Sequence, residues 1–221
     1  PGVRSPARGL SYTFMAAEAL WILAGDDTVA GIAPYNPRIA AFSDDGMTFF
    51  GAYGPRVAAQ LDYVVDRLTT DPATRQAVLT TWRPCPPVTK DVPCTVALAF
   101  MIRAQRLNCH AFMRSSDAWL GLPYDCFNFA MIAAKVACAY NRRAARSRVQ
   151  LGALHLTAAS AHLYASNFEA AAACVVSGAP PDDYRSLQGL VVDGDWDRVE
   201  AALVACRDKR AEAEQAWRIR P

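Results

Sequence analysis

The residues of this sequence best suited to covalent chemistry are a cysteine that follows a proline and an arginine that lies downstream of it. Cys94 follows Pro93 at the expected start of a strand, where the proline restricts the direction of the backbone. The thiolate is the nucleophilic form of cysteine, and a positive charge from Arg75, Arg114 or Lys90 would lower its pKa. Taken alone, the local sequence fits a buried structural cysteine better than a nucleophile.

A candidate anion-binding group follows in the order Arg114, Ser115, Ser116 and Asp117. A guanidinium and two hydroxyls are donors that suit a phosphate. The alternative is a strand end that carries a solvated arginine–aspartate pair, and by itself the run fits that alternative better.

Other polar side chains also stand in positions where a ligand could reach them. Asp125 begins an otherwise apolar stretch, where it would cap a helix or face a ligand at the helix N-terminus. His162 and Tyr164 share one side of an extended segment, where they would hold sugar hydroxyls or serve as core rings. Cys109 and His110 are adjacent in a predicted strand, so they point to opposite faces and do not form a catalytic dyad.

Composition predicts one reduced, globular domain over residues 1–221, and the start at Pro1 leaves room for a missing N-terminal segment. A formal net charge of +2 gives no general attraction to nucleic acid or membranes. Seven cysteines without metal-ligand spacing favour a cytoplasmic protein that carries no metal. No apolar run is long enough for a membrane span, and no signal peptide is visible.

The hydrophobic pattern predicts elements that would position these residues. Helical spacing covers residues 13–23, 60–69, 124–140, 169–176 and 195–217. Residues 77–82, 95–104, 107–113 and the start of 150–161 are typical of strands, with a hairpin at Gln105 and Arg106. Residues 26–53 are rich in Pro, Gly and Asp and predict mostly loop. Helices and strands without regular alternation indicate an α+β fold.

Six ordered segments between Glu18 and Asn167 together resemble the thymidylate synthase family. They cover residues 18–26, 51–54, 71–75, 93–94, 114–125 and 162–167. Asp125 follows Gly-Leu-Pro-Tyr where thymidylate synthases carry asparagine, and this is the pattern of the cytidylate hydroxymethylases. Among them the chain most resembles the CMP 5-hydroxymethylases of nucleoside-antibiotic biosynthesis, of the mildiomycin type.

The resemblance implies a two-layer fold in which helices pack on a mixed sheet and the other sheet face forms a homodimer interface. It also implies 5,10-methylenetetrahydrofolate as co-substrate. Cys94 would add to C6 of a pyrimidine nucleotide, and C5 would then take up the one-carbon unit. Asp125 would pair with cytosine, Glu18 would activate a water, and Tyr53 would assist proton transfer at C5.

The resemblance implies binding roles for the remaining candidates. Lys90 would meet the phosphate or a ribose 2′-hydroxyl, or is equally a solvated lysine. The other implied contacts are Arg75 (from the partner subunit), Arg114, Ser115 and Ser116 around the phosphate, His162 and Tyr164 at the ribose, Asp117 at both substrate and folate, and Gly121 and Tyr124 at the folate.

Departures from the family pattern bear on the reaction. Thr95 follows the cysteine where thymidylate synthases have histidine. Ala40 and Ala41 replace a large indole, which would leave room for water beside C5 and so favour hydroxymethylation over methylation.

Three alternatives remain open at the level of sequence. They are methylation of dUMP, a non-catalytic nucleotide-binding homologue, and a cysteine hydrolase that uses Cys94 and His162, although no motif supports that pairing. The choice between CMP and dCMP is also open, with a preference for CMP.

Overall fold

The structure is a computed structural model, and it describes residues 8–144, 148–177 and 188–208. A four-stranded sheet runs in the order β1-β2-β3-β5, in which β1, β2 and β3 are antiparallel and β5 lies parallel to β3. A second, two-stranded sheet pairs β4 with β6 in parallel. The strands are β1 (Val78–Thr80), β2 (Thr95–Arg103), β3 (Arg106–Met113), β4 (Ser116–Asp117), β5 (Gln150–Ala158) and β6 (Ala161–His162).

Seven α-helices lie within the described residues. They are α1 (Tyr12–Leu23), α2 (Val29–Ile32), α3 (Tyr53–Thr70), α4 (Leu122–Arg143), α5 (Phe168–Ser177), α6 (Gln188–Asp193) and α7 (Trp196–Arg207). Short 3-10 helices cover Pro37–Phe42 and Ala165–Asn167. The helices α3, α4 and α6 pack on the four-stranded sheet, and α1 packs against α3, α4 and α7. The predicted mixed α+β class is confirmed.

One face of the sheet forms the hydrophobic core. Alternate side chains of β2 and β3, such as Phe100 and Cys109, are at most 1% exposed and lie in one core with Phe129 and Ile132 of α4. Burying a large apolar side chain contributes about 1.5–3 kcal/mol, so this layer fixes α4 against the strands.

The other face of the sheet is covered by no helix in the part of the chain that the structure describes. It carries Phe112, which is 45% exposed, and a stacked pair of imidazoles from His110 and His155 with ring centroids 4.4 Å apart. Cys109 is buried on the opposite side from His110, as the strand alternation predicts. The dimer interface predicted for this face is not tested by a single chain.

A tight hairpin sets the register between β2 and β3. Ala104 and Gln105 form the turn with φ values of 50° and 58°, a left-handed conformation that costs energy in residues other than glycine. The register pairs Thr95 with Met113, so Cys94 and Arg114 are neighbours at the open end of the hairpin. The turn lies one residue earlier than predicted.

Most predicted elements occur, with shifted ends. The helix expected from residue 60 begins at Tyr53, because Pro55 is tolerated in a first helical turn. The loop predicted over 26–53 contains α2 and a 3-10 helix, and α6 was not predicted. The C-terminal helix is described as far as Arg207, and the rest of that prediction lies outside the described residues. Among the described helices, none is both long and apolar enough to cross a membrane.

Candidate active site

The hairpin places the predicted nucleophile beside the predicted phosphate-binding arginine. The Arg114 backbone N–H donates to the Cys94 carbonyl at 2.8 Å, and its guanidinium Nη2 lies 3.8 Å from Cys94 Sγ. The same guanidinium donates to the carbonyls of Pro93 and Val92, each at 2.9 Å. Arg114 therefore fixes the loop that carries Cys94 and brings a positive charge to the sulfur.

The pKa of the Cys94 thiol is raised, and this differs from the sequence expectation. Burial raises the pKa most, and the positive charge of Arg114 offsets only part of that rise. Arg75 and Lys90 are not among the groups that shift it, and the negative charges of Asp125 and Asp91 raise it further. The prediction of a lowered pKa was wrong because burial outweighs the one nearby cation.

Tyr53 is held next to the nucleophile by the residue that follows it. The Thr95 backbone N–H and hydroxyl both donate to the Tyr53 phenolic oxygen, at 3.2 and 2.9 Å. Burial raises the pKa of Tyr53, and negative charge on Asp125 and Cys94 raises it further. Tyr53 therefore stays protonated, and its own hydrogen remains available to donate.

Asp125 lies in the first turn of α4, and it is not the N-cap. Gly121 occupies the cap position, and the Asp125 backbone N–H donates to the Gly121 carbonyl at 3.0 Å. A Cβ atom added at Gly121 would lie 3.3 Å from Asp125 Oδ2, so glycine leaves the carboxyl its space. Among the described residues, no side chain hydrogen bonds to this carboxyl, which is thus available to a ligand.

Glu18 reaches the same cluster from the middle of α1. Its Oε2 accepts a hydrogen bond of 2.8 Å from Asn128 Nδ2 on α4. Burial raises the pKa of Glu18 to about 7, and the hydrogen bond from Asn128 opposes part of that rise. The pKa of Asp125 is raised to about 8, first by burial and then by the negative charge of Glu18.

These two carboxyls interact, and at neutral pH they hold one proton for much of the time. Burial favours the protonated form of both carboxyls, and negative charge on Glu18 raises the pKa of Asp125 further. A buried carboxylic acid that stays neutral near pH 7 can donate a hydrogen bond as well as accept one. Asp125 in its protonated form can therefore both donate to a ligand and accept from it.

The run after Arg114 continues into the two-stranded sheet. Ser116 is 5% exposed, and its hydroxyl has no partner among the described residues. Pairing of β4 with β6 sets Asp117 opposite His162, with His162 Nε2 3.8 Å from Asp117 Oδ2. The His162 and Tyr164 rings meet edge to face with centroids 5.2 Å apart, and Tyr164 is exposed.

Asp117 organises the turn that leads to Gly121. Its Oδ1 accepts the backbone N–H groups of Trp119 and Leu120 at 2.7 and 2.6 Å. Its Oδ2 is buried and accepts no hydrogen bond within the described residues. Tyr124 packs edge to face on Phe14 of α1, and its hydroxyl accepts the Ser11 N–H at 3.1 Å.

Within the described residues, no hydrogen bond or ion pair joins two of the predicted substrate residues to this cluster. Arg75 is exposed in the loop after α3, where it lines a cavity of about 240 Å³ together with Arg67. Lys90 is also exposed, and its Nζ lies 3.5 Å from the Ser43 carbonyl. Ser115, by contrast, is partly buried directly after Arg114.

The sequence reasoning missed two residues that hold the catalytic candidates. Thr95 was noted as a departure but not as the support of Tyr53, and Asn128 was not considered. The available signal was an amide side chain within the apolar run of α4, one turn after Asp125. In the described parts of the chain, no group of three His, Cys, Asp or Glu residues could hold a metal ion.

A comparison with known protein families identifies the family of this chain. The family model described as thymidylate synthase matches residues 7–180 of the 221. The chain therefore belongs to the thymidylate synthase family, whose members use methylenetetrahydrofolate as co-substrate and bind a pyrimidine nucleotide.

Two curated relatives carry different names within that family. A deoxyuridylate hydroxymethyltransferase of Bacillus phage SP01 is 35% identical over 133 residues, which cover 52% of this chain and 35% of that protein. A thymidylate synthase of Haloferax volcanii is 31% identical over 125 residues, 56% of this chain and 34% of that protein. The matched part thus spans about a third of the length of each relative.

Proposed function

We propose that this chain transfers a one-carbon unit from methylenetetrahydrofolate to C5 of a cytidine monophosphate and hydrates it to the 5-hydroxymethyl nucleotide. The observation that carries the proposal is the Asp125 carboxyl in the first turn of α4, which Gly121 leaves uncovered and to which no described side chain donates a hydrogen bond. Burial raises its pKa to about 8, and its negative charge raises the pKa of Cys94. Family membership supports one-carbon transfer to a pyrimidine nucleotide.

The base preference follows from hydrogen-bond polarity. Cytosine presents an acceptor at N3 and an amino donor at C4, and uracil presents the reverse. A protonated Asp125 donates to N3 through one oxygen and accepts from the amino group through the other. With uracil, the donor of Asp125 would face the N3–H donor and its acceptor would face the C4 carbonyl. Buried mismatches of this kind discriminate strongly against the wrong base.

Nucleophilic addition is assigned to Cys94. Its thiol gives its proton to water, the sulfur bonds to C6, and the electron pair of the C5–C6 double bond moves to C5, which becomes the nucleophile. The Arg114 guanidinium stabilises the thiolate that forms, and its Nη1, which makes no hydrogen bond to a described residue, is a donor for the phosphate with Ser115 and Ser116. The C5 proton leaves to water, and Tyr53, held by Thr95 and itself protonated, assists by a hydrogen bond to that water.

The residues predicted at the folate fit an amino-pyrimidine ring. Asp117 Oδ2 is a buried acceptor that receives no hydrogen bond from a described residue, although His162 Nε2 lies 3.8 Å away, and an N–H edge of the folate would satisfy it. Gly121 lies at the N-cap of α4, and Tyr124 lies in the first turn of that helix. The folate supplies the one-carbon unit, after which tetrahydrofolate leaves and C5 carries an exocyclic methylene.

Hydration of that methylene is assigned to Glu18. As a carboxylate it accepts a proton from water, whose oxygen bonds to the methylene carbon while the C6–sulfur bond breaks. The small side chains Ala40 and Ala41 support access for water. The name of the phage relative, a deoxyuridylate hydroxymethyltransferase, supports this outcome in a member of the family.

The sugar and phosphate contacts complete the proposal. His162 and Tyr164 would contact the ribose, and Lys90 would bind the phosphate or a 2′-hydroxyl, with CMP preferred over dCMP. Arg75 would reach the phosphate of a partner subunit, since it lies apart from its own chain's cluster. The exposed sheet face around Phe112 would be the homodimer interface. The link to nucleoside-antibiotic biosynthesis and the single-domain organisation rest on the sequence alone.

Methylation of dUMP is the second candidate. The name of the Haloferax volcanii relative, a thymidylate synthase, favours methylation, and the name of the phage relative favours deoxyuridylate as the substrate. Incubation with methylenetetrahydrofolate and CMP, dCMP or dUMP in parallel, followed by mass spectrometry, separates the candidates. The proposal predicts a cytidylate heavier by one hydroxymethyl group and no dihydrofolate. Dihydrofolate with methylated dUMP would overturn it, and no product from any nucleotide would indicate a non-catalytic homologue.

A further inference from the structure

Asn128 is a buried polar residue with a single polar contact among the described residues. It is 3% exposed and lies on α4, three positions after Asp125. Its Nδ2 donates to Glu18 Oε2 at 2.8 Å across the interface between α1 and α4. The Asn128 amide therefore links α4, which carries Asp125, to α1, which carries Glu18.

The amide has no other structural duty within the described residues. A carboxylate only accepts hydrogen bonds, so Nδ2 must face Glu18. Oδ1 is buried and accepts no hydrogen bond from a described residue. An unsatisfied buried carbonyl costs about 1–3 kcal/mol, and an apolar residue of similar volume would avoid that cost. Packing does not explain an asparagine here, whereas the contact with Glu18 does.

We propose that Asn128 is a positioning residue whose amide keeps Glu18 as the carboxylate of the pair, so that the shared proton stays on Asp125. This inference deepens the proposed function, on which its catalytic meaning rests. It explains why Glu18 acts as the carboxylate and Asp125 as the neutral acid, although both are carboxyl groups. Neither carboxyl receives another side-chain hydrogen bond from a described residue that could set the order of ionisation.

The physical basis is the preference of a hydrogen-bond donor for a charged acceptor. A donated N–H stabilises the ionised form of Glu18, and the resulting negative charge disfavours ionisation of Asp125. Three other described titratable groups interact electrostatically with Asp125, namely Tyr53 on α3, Cys94 before β2 and Cys126 on α4 itself. From α7, which also packs against α1, no described residue acts on Glu18.

Two chemical roles follow from this placement of the proton. Asp125 keeps a hydrogen that it can donate to N3 of cytosine. Glu18, as a carboxylate, has a free lone pair that can accept a proton from water. Without the amide, Glu18 holds its proton to higher pH, and Asp125 loses the neighbouring charge that keeps it neutral. Both roles weaken together, although neither residue has been altered.

The direct test is a titration of the apo protein by ¹³C NMR with labelled Glu and Asp carboxyls. Glu18→Gln and Asp125→Asn assign the two signals. In Asn128→Leu, which keeps volume but has no donor, the midpoint of Glu18 is expected to move to higher pH and that of Asp125 to lower pH. Asn128→Ser is a milder substitution and is expected to shift both midpoints in the same directions. It is measured as well, so that the test can be made if the leucine variant does not fold.

The matched control is Cys138→Ala, which removes a buried side chain from the same helix far from the carboxyls. It is expected to lower stability and leave both midpoints in place. Unchanged midpoints in both Asn128 variants, or equal shifts in the control, would overturn the inference. Because the titration needs no substrate, it is decided independently of the reaction: a methylated uridylate product would defeat the proposed function and leave the proton placement standing.

Discussion

Arg114 lies with its guanidinium Nη2 3.8 Å from Cys94 Sγ, and it also donates to the carbonyls of Val92 and Pro93. Cys94 precedes β2 and Arg114 follows β3, so the pairing of these two strands brings the residues together. In the free protein this cation only partly offsets the effect of burial on the thiol. The nucleophile is therefore mostly a thiol at neutral pH and ionises when it reacts.

The first prediction concerns this pair. Arg114→Ala should slow alkylation of Cys94 by iodoacetamide several-fold at pH 8, because the cation that lowers the thiol pKa is gone. Arg114→Lys, which keeps a positive charge, should lie between this variant and the native protein. The measurement is peptide-resolved mass spectrometry, since Cys85 is also exposed. Arg106→Ala, at the other end of β3, is the control, and equal slowing in that variant would contradict the assignment.

The second prediction is a narrow pH optimum for kcat/KM. Glu18 must be ionised, so activity rises with pH as it titrates near pH 7. Asp125 must be protonated, so activity falls as it titrates near pH 8. The maximum is expected between these values. In the residual activity of Glu18→Gln the rising limb should be gone, and the falling limb should move to lower pH because Asp125 has lost a neighbouring negative charge. A flat profile from about pH 6 to about pH 9 would show that neither carboxyl acts as proposed.

The third prediction concerns stability. The pKa of Asp125 rises from 3.8 to about 8 on folding, so the folded protein binds this proton more tightly than the unfolded chain does. That contribution to stability is fully present below pH 4 and is lost as pH rises toward 8. An asparagine at position 125 cannot ionise, so Asp125→Asn avoids the cost of burying a charge at high pH. The variant should therefore melt several degrees above the native protein at pH 9, but not at pH 5. The exposed substitution Glu169→Gln is the control, and an advantage independent of pH would contradict the prediction.

How far the sequence predicted this site depends on the kind of contact. The hairpin of β2 and β3 and the buried helix α4 follow from local periodicity, and they suffice to bring Cys94 and Arg114 together. The contact of Asn128 with Glu18 joins residues far apart in the sequence, so it depends on how α1 packs against α4, and no local pattern encodes it. The raised pKa of Cys94 likewise depends on burial, which the charge pattern alone does not show.

The fourth prediction concerns the uncovered sheet face. Phe112→Lys places a charge on that face and should convert a homodimer into a monomer, as measured by sedimentation velocity. Tyr63→Lys, at an exposed position of α3, is the matched control and should leave the dimer intact. A dimer that persists in Phe112→Lys would place the interface elsewhere. Loss of activity in the monomer is also expected, because Arg75 would no longer reach a partner's phosphate.

The fifth prediction tests the central proposal, the reading of the base by Asp125. Native protein and Asp125→Asn are each given CMP and UMP, and dCMP and dUMP, with methylenetetrahydrofolate, and the initial rates of 5-hydroxymethyl product are measured by mass spectrometry. The account predicts that the native protein prefers cytidylate by about a hundredfold or more and that asparagine reverses the order toward uridylate. The same base preference in both proteins would contradict it.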